Sequence, residues 1–263
     1  MAPLTFTLIQ TALHWEDRTA NLRMLEEKIR AGSAAGHIVV LPEMFSTGFS
    51  MNPEAFAETM DGTTLQWMQR LSRELRIILC GSVMMQGDGG FVNRFLWVLP
   101  NGAVGHYDKR HLFAYAHEDQ HYQPGRERFI ASVNGWRIQC LVCYDLRFPV
   151  WSRQQTTDAG PEYDVLLYVA NWPERRATAW KTLLQARAIE NQCYVVGVNR
   201  VGEDGKGIYH SGDSMVVDPL GEVLYQKAHE EDVFTITFDK AHLEAVRQKL
   251  PFWKDADDFT LPV

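Results

Sequence analysis

Trp136-Arg-Ile-Gln-Cys-Leu-Val-Cys143-Tyr144-Asp145-Leu146-Arg147-Phe148-Pro149 decides how this chain is read. Its first half is an apolar, strand-like run, and Pro149 closes a polar turn that cannot continue it. Cys143 therefore stands at a strand-to-turn corner, where the backbone holds a thiol rigidly with Sγ beyond the sheet edge. The same elbow logic exposes nucleophilic serines in hydrolases. Two other polar residues end apolar runs in the same way: Glu43 after His37-Ile-Val-Val-Leu-Pro42, and Lys109 after Val104-Gly-His-Tyr-Asp108.

A thiol, a carboxylate and an amine at three strand ends are the parts that cysteine-based amide hydrolysis needs. Cys143 would attack, given a pKa lowered by nearby positive charge. Glu43 would take the thiol proton, pass it to departing ammonia and then activate water. Lys109 and the Tyr144 N–H would hold the oxyanion. The scheme uses neither metal nor organic cofactor. Taken singly, each residue also has an ordinary reading: Cys143 as a small core residue, Glu43 as a loop start, Lys109 as a solvated charge.

Outward from these ends, strand-like and helix-like patterns alternate. Strands are expected at Leu4–Ile9, Ile38–Leu41, Ile77–Val83, Asn93–Leu99, Ala103–Tyr107, Phe129–Val133, Trp136–Val142, Asp164–Ala170, Tyr194–Val198, Ser214–Val217, Glu222–Leu224 and Val233–Phe238. Helices are expected at Asp17–Ala31, Thr63–Leu75 (capped by Thr63 or Thr64) and Arg175–Asn191. Pro100-Asn-Gly102 and Asn134-Gly135 mark hairpins. No repeat or linker divides the chain, so 1–263 is read as one domain.

The composition, 46% apolar and 22% charged, is that of an ordinary globular protein. A net charge of -7 argues against nucleic acid or an anionic membrane as partner. No apolar stretch reaches the ~20 residues that span a bilayer. Met1-Ala-Pro-Leu-Thr-Phe-Thr-Leu-Ile9 lacks the basic region of a signal peptide and reads as a first strand. Four cysteines without an export signal point to free thiols and a cytoplasmic location.

Leu41-Pro-Glu-Met-Phe45, Tyr107-Asp-Lys-Arg-His-Leu-Phe113 and Leu141-Val-Cys-Tyr-Asp-Leu-Arg-Phe-Pro149 resemble, in order and spacing, the three signature segments of the nitrilase (carbon–nitrogen hydrolase) superfamily. Arg187–Tyr194 and Gly212–Gly221 resemble later segments of that family. The resemblance implies a four-layer α-β-β-α sandwich, two central mixed sheets flanked by helices. It implies Glu43, Lys109 and Cys143 as a catalytic triad, Glu118 as a second glutamate contacting the lysine and substrate, and a homodimer. Tyr107–Phe113 and Val169-Ala-Asn-Trp-Pro173 look most like the omega-amidase branch. Such enzymes deamidate short monoamides of dicarboxylic acids, such as 2-oxoglutaramate or 2-oxosuccinamate.

A distal carboxylate needs a cation in the pocket. Arg175 and Arg176 are available at a helix start, and Arg147 reads as structural, paired with a nearby acid. Phe113, Tyr144 and Trp172 are expected as pocket walls. Other readings stay open. A carbamoylase or aliphatic amidase would use the same triad, a true nitrilase would act on C≡N, and a scaffold would use none of it. His117-Glu118-Asp-Gln-His121 spells the zinc motif H-E-x-x-H, but Pro124-Gly125 ends any helix there and no third ligand is near. Cys140-Leu-Val-Cys143 spells C-x-x-C, yet on a strand residues three apart face oppositely, so a redox or zinc pair is not expected.

Overall fold

Side-chain alternation along three parallel strands, Leu4–Gln10, Ile38–Val40 and Ile78–Gly87, sets up the architecture. Phe6, Leu8, Ile38, Val40, Ile78 and Cys80 join one core, whereas Ile9, Val39, Leu41 and Leu79 join another. Successive residues of a strand point to opposite faces, so this sheet is apolar on both sides and must be covered twice. The computed structural model describes residues 3–157 and 160–261. Met1 and Ala2 of the N-terminal reading, and the last two residues of the 1–263 span, lie outside the described residues.

The first sheet has six strands, in the order Asp232–Phe238, Leu4–Gln10, Ile38–Val40, Ile78–Gly87, Gly90–Val98 and Val104–Asp108. The second runs Val201–Glu203, Tyr209–Val217, Tyr194–Asn199, Val165–Ala170, Trp136–Val142 and Ile130–Val133, with Val223–Ala228 paired on Tyr209–Val217. Both mix parallel and antiparallel pairs. Their inner faces meet in one core that joins Phe6, Phe95 and Trp97 to Ile138, Val142, Leu167 and Val196.

Helices Arg18–Gly32 (Leu22, Leu25, Ile29) and Thr63–Leu75 (Leu65, Met68, Leu71) cover the outer face of the first sheet. Helix Ala177–Asn191 covers the second through Trp180, Leu184 and Ala188. The result is the expected four-layer α-β-β-α sandwich. Each fully buried leucine or isoleucine contributes roughly 1.5–3 kcal/mol. The strand pattern therefore outweighs helix capping in fixing the layers.

Several expectations need correction. Gly62, not a threonine, caps helix Thr63–Leu75, and the Glu58 carboxylate accepts the Thr64 N–H at 3.0 Å in place of a hydroxyl. Arg175 lies in a separate 3-10 turn, Glu174–Arg176, before the helix begins at Ala177. Strand Ile78–Gly87 runs past Val83 into a second hairpin with Gly90–Val98, and Tyr209–Val217 and Val223–Ala228 are longer than read. Strand Val201–Glu203 and helix Lys240–Lys249 were not expected at all. The helix does carry a sequence signal, since Asp239 caps it and Leu243 and Val246 are buried one turn apart.

Candidate active site

The three strand ends converge where the sheets meet. Lys109 follows strand Val104–Asp108, and its backbone is pinned from both sides. Its N–H donates to the Asn93 carbonyl and its carbonyl accepts the Gly125 N–H, each at 2.9 Å. The chain passes so close here that a Cβ on Gly125 would lie 2.0 Å from the Asp108 carbonyl oxygen, so only glycine fits. Past strand Ile38–Val40, Met44 takes a φ of 43°; past strand Trp136–Val142, Cys143 takes a φ of 44°. Left-handed backbone at non-glycine residues is sparsely populated and costs on the order of 1–3 kcal/mol. The expected elbow at Cys143 is therefore real, and Glu43 sits beside a second one.

Glu43, Lys109 and Glu118 are all at most 1% exposed. Lys109 Nζ donates to Glu43 Oε1 at 2.9 Å and to Glu118 Oε1 and Oε2 at 3.0 and 2.9 Å. An ammonium has three N–H donors, so the two carboxylates engage all of them. Asn93 Nδ2 donates to Glu43 Oε1 at 2.8 Å and to Glu118 Oε1 at 3.3 Å. The Asn171 N–H donates to Glu43 Oε2 at 2.8 Å and its amide to the Glu43 carbonyl at 2.5 Å. The Phe113 N–H donates to Glu118 Oε2 at 2.6 Å. Asn93 and Asn171 escaped the sequence reading, although each is a polar residue within or just past an apolar run.

Burial and the charge of Glu43 push the Cys143 thiol well above the usual cysteine range, with Lys109 opposing. The condition for an activated thiol, a pKa lowered by nearby positive charge, is not met at rest: burial and the neighbouring carboxylate favour the protonated thiol. Burial would depress Lys109, but the charges of Glu118 and Glu43 outweigh it and hold the ammonium protonated. Burial and Glu43 raise Glu118, against the pull of Lys109. A protonated thiol next to a carboxylate needs a base to become a nucleophile, and Glu43 is the carboxylate whose charge acts most strongly on it.

The elbow is anchored by the buried Asp145. Its carboxylate accepts the Val142 N–H at 3.0 Å, the Tyr107 hydroxyl at 2.8 Å and the His111 N–H at 3.0 Å, with His111 Nδ1 at 2.8 Å. Tyr107 and Asp145 each lie two residues from Lys109 and Cys143 respectively, so the anchor couples both.

Cys143 opens onto a cavity of about 250 Å³ whose lining includes Phe113, Tyr144, Trp172 and Arg175. Arg147 lines it too, lying 4.9 Å from the Trp172 ring centroid, and among the described residues it has no ion pair. The reading of Arg147 as paired with an acid is therefore wrong: Asp145, the nearest acid in sequence, is taken up by Tyr107, His111 and Val142. Arg175 is exposed at the rim, whereas Arg176 is half-buried with its guanidinium 5.1 Å from the Phe113 ring. Asp204, Lys206, Ile208 and His210, from the hairpin missed in the sequence, also line the cavity.

Glu118 heads a four-residue helix ending at His121 and turns its carboxylate onto Lys109 rather than toward either histidine. Among the described residues no three His, Cys, Asp or Glu side chains are grouped to hold a metal ion. Cys140 and Cys143 are both free thiols. Among the described residues, no helix is long and apolar enough to cross a membrane.

Comparison with known proteins agrees with this geometry. Residues 5–248 match the family model for carbon-nitrogen hydrolases. The chain is 46% identical to omega-amidase YafV of Escherichia coli K12, over 99% of this chain and all of that protein. It is 30% identical to the 2-oxoglutaramate amidase of Bacillus subtilis, over 95% of this chain and 96% of the relative. The crystal structure of a carbon-nitrogen hydrolase superfamily protein from Xanthomonas campestris, solved with an arsenic adduct in its active site, superposes with a TM-score of 0.97 at 41% identity, covering both chains completely. This chain belongs to the carbon-nitrogen hydrolase family.

Proposed function

We propose that this protein is an omega-amidase that hydrolyses the carboxamide of short dicarboxylic acid monoamides, such as 2-oxoglutaramate or 2-oxosuccinamate, through a Cys143 thioester. The observation that carries the reading is the position of Cys143. It stands between a buried Glu43–Lys109–Glu118 cluster and a cavity lined by arginines. The Escherichia coli relative is named an omega-amidase and the Bacillus subtilis relative a 2-oxoglutaramate amidase, which supports this class of substrate.

In this scheme Glu43 accepts the thiol proton as the S–C bond forms, and the carbonyl oxygen becomes an oxyanion facing the Tyr144 N–H. Lys109, its own N–H groups engaged by carboxylates, contributes positive charge and holds Glu43 and Glu118 in place. Collapse breaks the C–N bond, and the proton on Glu43 leaves with ammonia. Water then attacks the thioester and gives its proton to Glu43. The acid departs, and Glu43 returns the proton to the Cys143 sulfur. The chemistry asks for no metal or organic cofactor. We place the enzyme in the cytoplasm as a homodimer whose residues 1–263 form one hydrolase domain.

Ammonia release from a panel of amides, nitriles and carbamoyl compounds tests the proposal. Release fastest with a 2-oxo dicarboxylic monoamide, abolished in Cys143→Ala and accompanied by an acyl mass on Cys143, is expected. Preference for carbamoyl compounds or uncharged amides would leave the triad and overturn the substrate. Retained turnover in Cys143→Ala would overturn the mechanism.

A further inference from the structure

Two guanidiniums in the cavity are held by aromatic rings rather than by acids. Arg147 lies over Trp172 at 4.9 Å and Arg176 over Phe113 at 5.1 Å. Neither side chain makes a hydrogen bond or ion pair among the described residues. The acid that shares the cavity, Asp204, spends Oδ1 on the backbone N–H groups of Lys206 and Ile208, at 2.8 and 2.9 Å. A guanidinium stacked on a ring keeps its orientation while its N–H edge stays open to a planar anion.

The two rings are themselves tied to the buried carboxylates. Phe113, under Arg176, donates its backbone N–H to Glu118. Trp172, under Arg147, directly follows Asn171, whose N–H donates to Glu43. Each cation is therefore one or two short links from a group beside Cys143. The path from thiol to cation thus runs through backbone that is hydrogen-bonded to the buried carboxylates.

We propose that Arg176, assisted by Arg147, is the receptor for the substrate's far carboxylate, and that the Phe113 and Trp172 rings set its distance from Cys143. This rests on the omega-amidase reading of the site. Arg175, exposed at the rim, contributes field but no contact. A carboxylate seated between the two guanidiniums accepts paired N–H bonds and sets the amide carbon at the thiol. A chain without that carboxylate has no such anchor.

The test uses the full-length enzyme with two amides of equal length, 2-oxoglutaramate and uncharged pentanamide, and compares the ratio of their kcat/KM values. In the wild type the ratio favours the charged amide. In Arg176→Gln it is expected to fall about 100-fold, mainly through KM, and in Arg147→Gln about tenfold. Arg176→Lys keeps the charge without the fork and recovers the ratio only in part. A parallel loss on both substrates, leaving the ratio intact, would show that the arginine is structural and overturn the proposal. A wild type indifferent to the carboxylate would overturn the omega-amidase reading itself. A second readout needs no turnover: calorimetric binding of 2-oxoglutarate to Cys143→Ala, with and without Arg176→Gln. At least tenfold weaker binding in the double variant is expected, and equal binding would overturn the proposal.

Discussion

Tyr107 donates its hydroxyl to Asp145 Oδ2 over 2.8 Å, joining the sheet that carries Lys109 to the elbow that carries Cys143. The same hydroxyl oxygen accepts Trp151 Nε1 at 2.9 Å and the Arg110 N–H at 3.1 Å. One phenol thus sits at the crossing of two sheets, and both strand ends depend on it.

Tyr107→Phe should therefore do more than weaken the fold. It leaves Trp151 Nε1 and the Arg110 N–H without their acceptor, a loss of about 2–4 kcal/mol. Thermal unfolding should move down by several degrees. Because the spacing of Lys109 and Cys143 also loosens, kcat should fall by about tenfold. A lowered Tm with unchanged kcat would reduce the bond to a purely structural one.

Glu43→Gln separates thiol reactivity from catalysis. Burial and the Glu43 carboxylate both hold the Cys143 thiol protonated, while Lys109 opposes them. Removing that negative charge lowers the thiol pKa, so alkylation by iodoacetamide near pH 8 should be faster than in wild type. Amide turnover should still collapse, because nothing remains to carry the proton to ammonia. Slower alkylation in Glu43→Gln would mean that the carboxylate activates the resting thiol, contrary to the scheme.

The strand ends were legible in the sequence because apolar runs stop at conspicuous polar residues, and Glu43, Lys109 and Cys143 each stop one. Glu118 was reached only through family resemblance, since its role depends on a short helix folding back onto Lys109. Asn93 and Asn171 were hidden inside or beside apolar strands, where one amide looks like noise until the partner 50 or 128 residues away is known. Arg147 was misread because its neighbour in sequence, Asp145, suggested a pair. The acid turned instead to Tyr107 and His111, leaving the arginine for the cavity. Helix Lys240–Lys249 carries a cap and an apolar stripe and could have been read.

Lys109→Met tests the charge balance of the cluster. It leaves Glu43 and Glu118 buried without their cation, and breaking a buried pair in this way costs about 3–5 kcal/mol. Burial already raises Glu118 above its ordinary value of 4.5, and losing the lysine raises it further. A carboxyl whose folded pKa exceeds its unfolded one binds more protons when folded. Its stability contribution is whole below pH 4.5 and is lost as pH rises toward the folded value. Urea unfolding should therefore show the variant's deficit shrinking as pH is lowered from 7 toward 5. A deficit independent of pH would mean that the acids are relieved by solvent rather than by protonation.

The cavity's charge should also sort substrates by what they carry beside the carboxylate. Arg147, Arg175, Arg176 and Lys206 line it with Asp204 as the acid among them, so an ammonium on the carbon next to the carboxylate is repelled where a 2-oxo group is not. A unit charge about 5 Å from a guanidinium feels roughly 3 kcal/mol at an effective dielectric near 20. Solvent at the rim and the Asp204 charge reduce this. Glutamine should accordingly be a poorer substrate than 2-oxoglutaramate by on the order of 10- to 100-fold in kcat/KM. The difference should narrow as pH rises through the titration of the substrate amine, because the neutral amine escapes the repulsion. Taking the ratio of the two substrates cancels any titration of the enzyme. A gap that stays constant while the amine loses its proton would assign the discrimination to shape instead of charge.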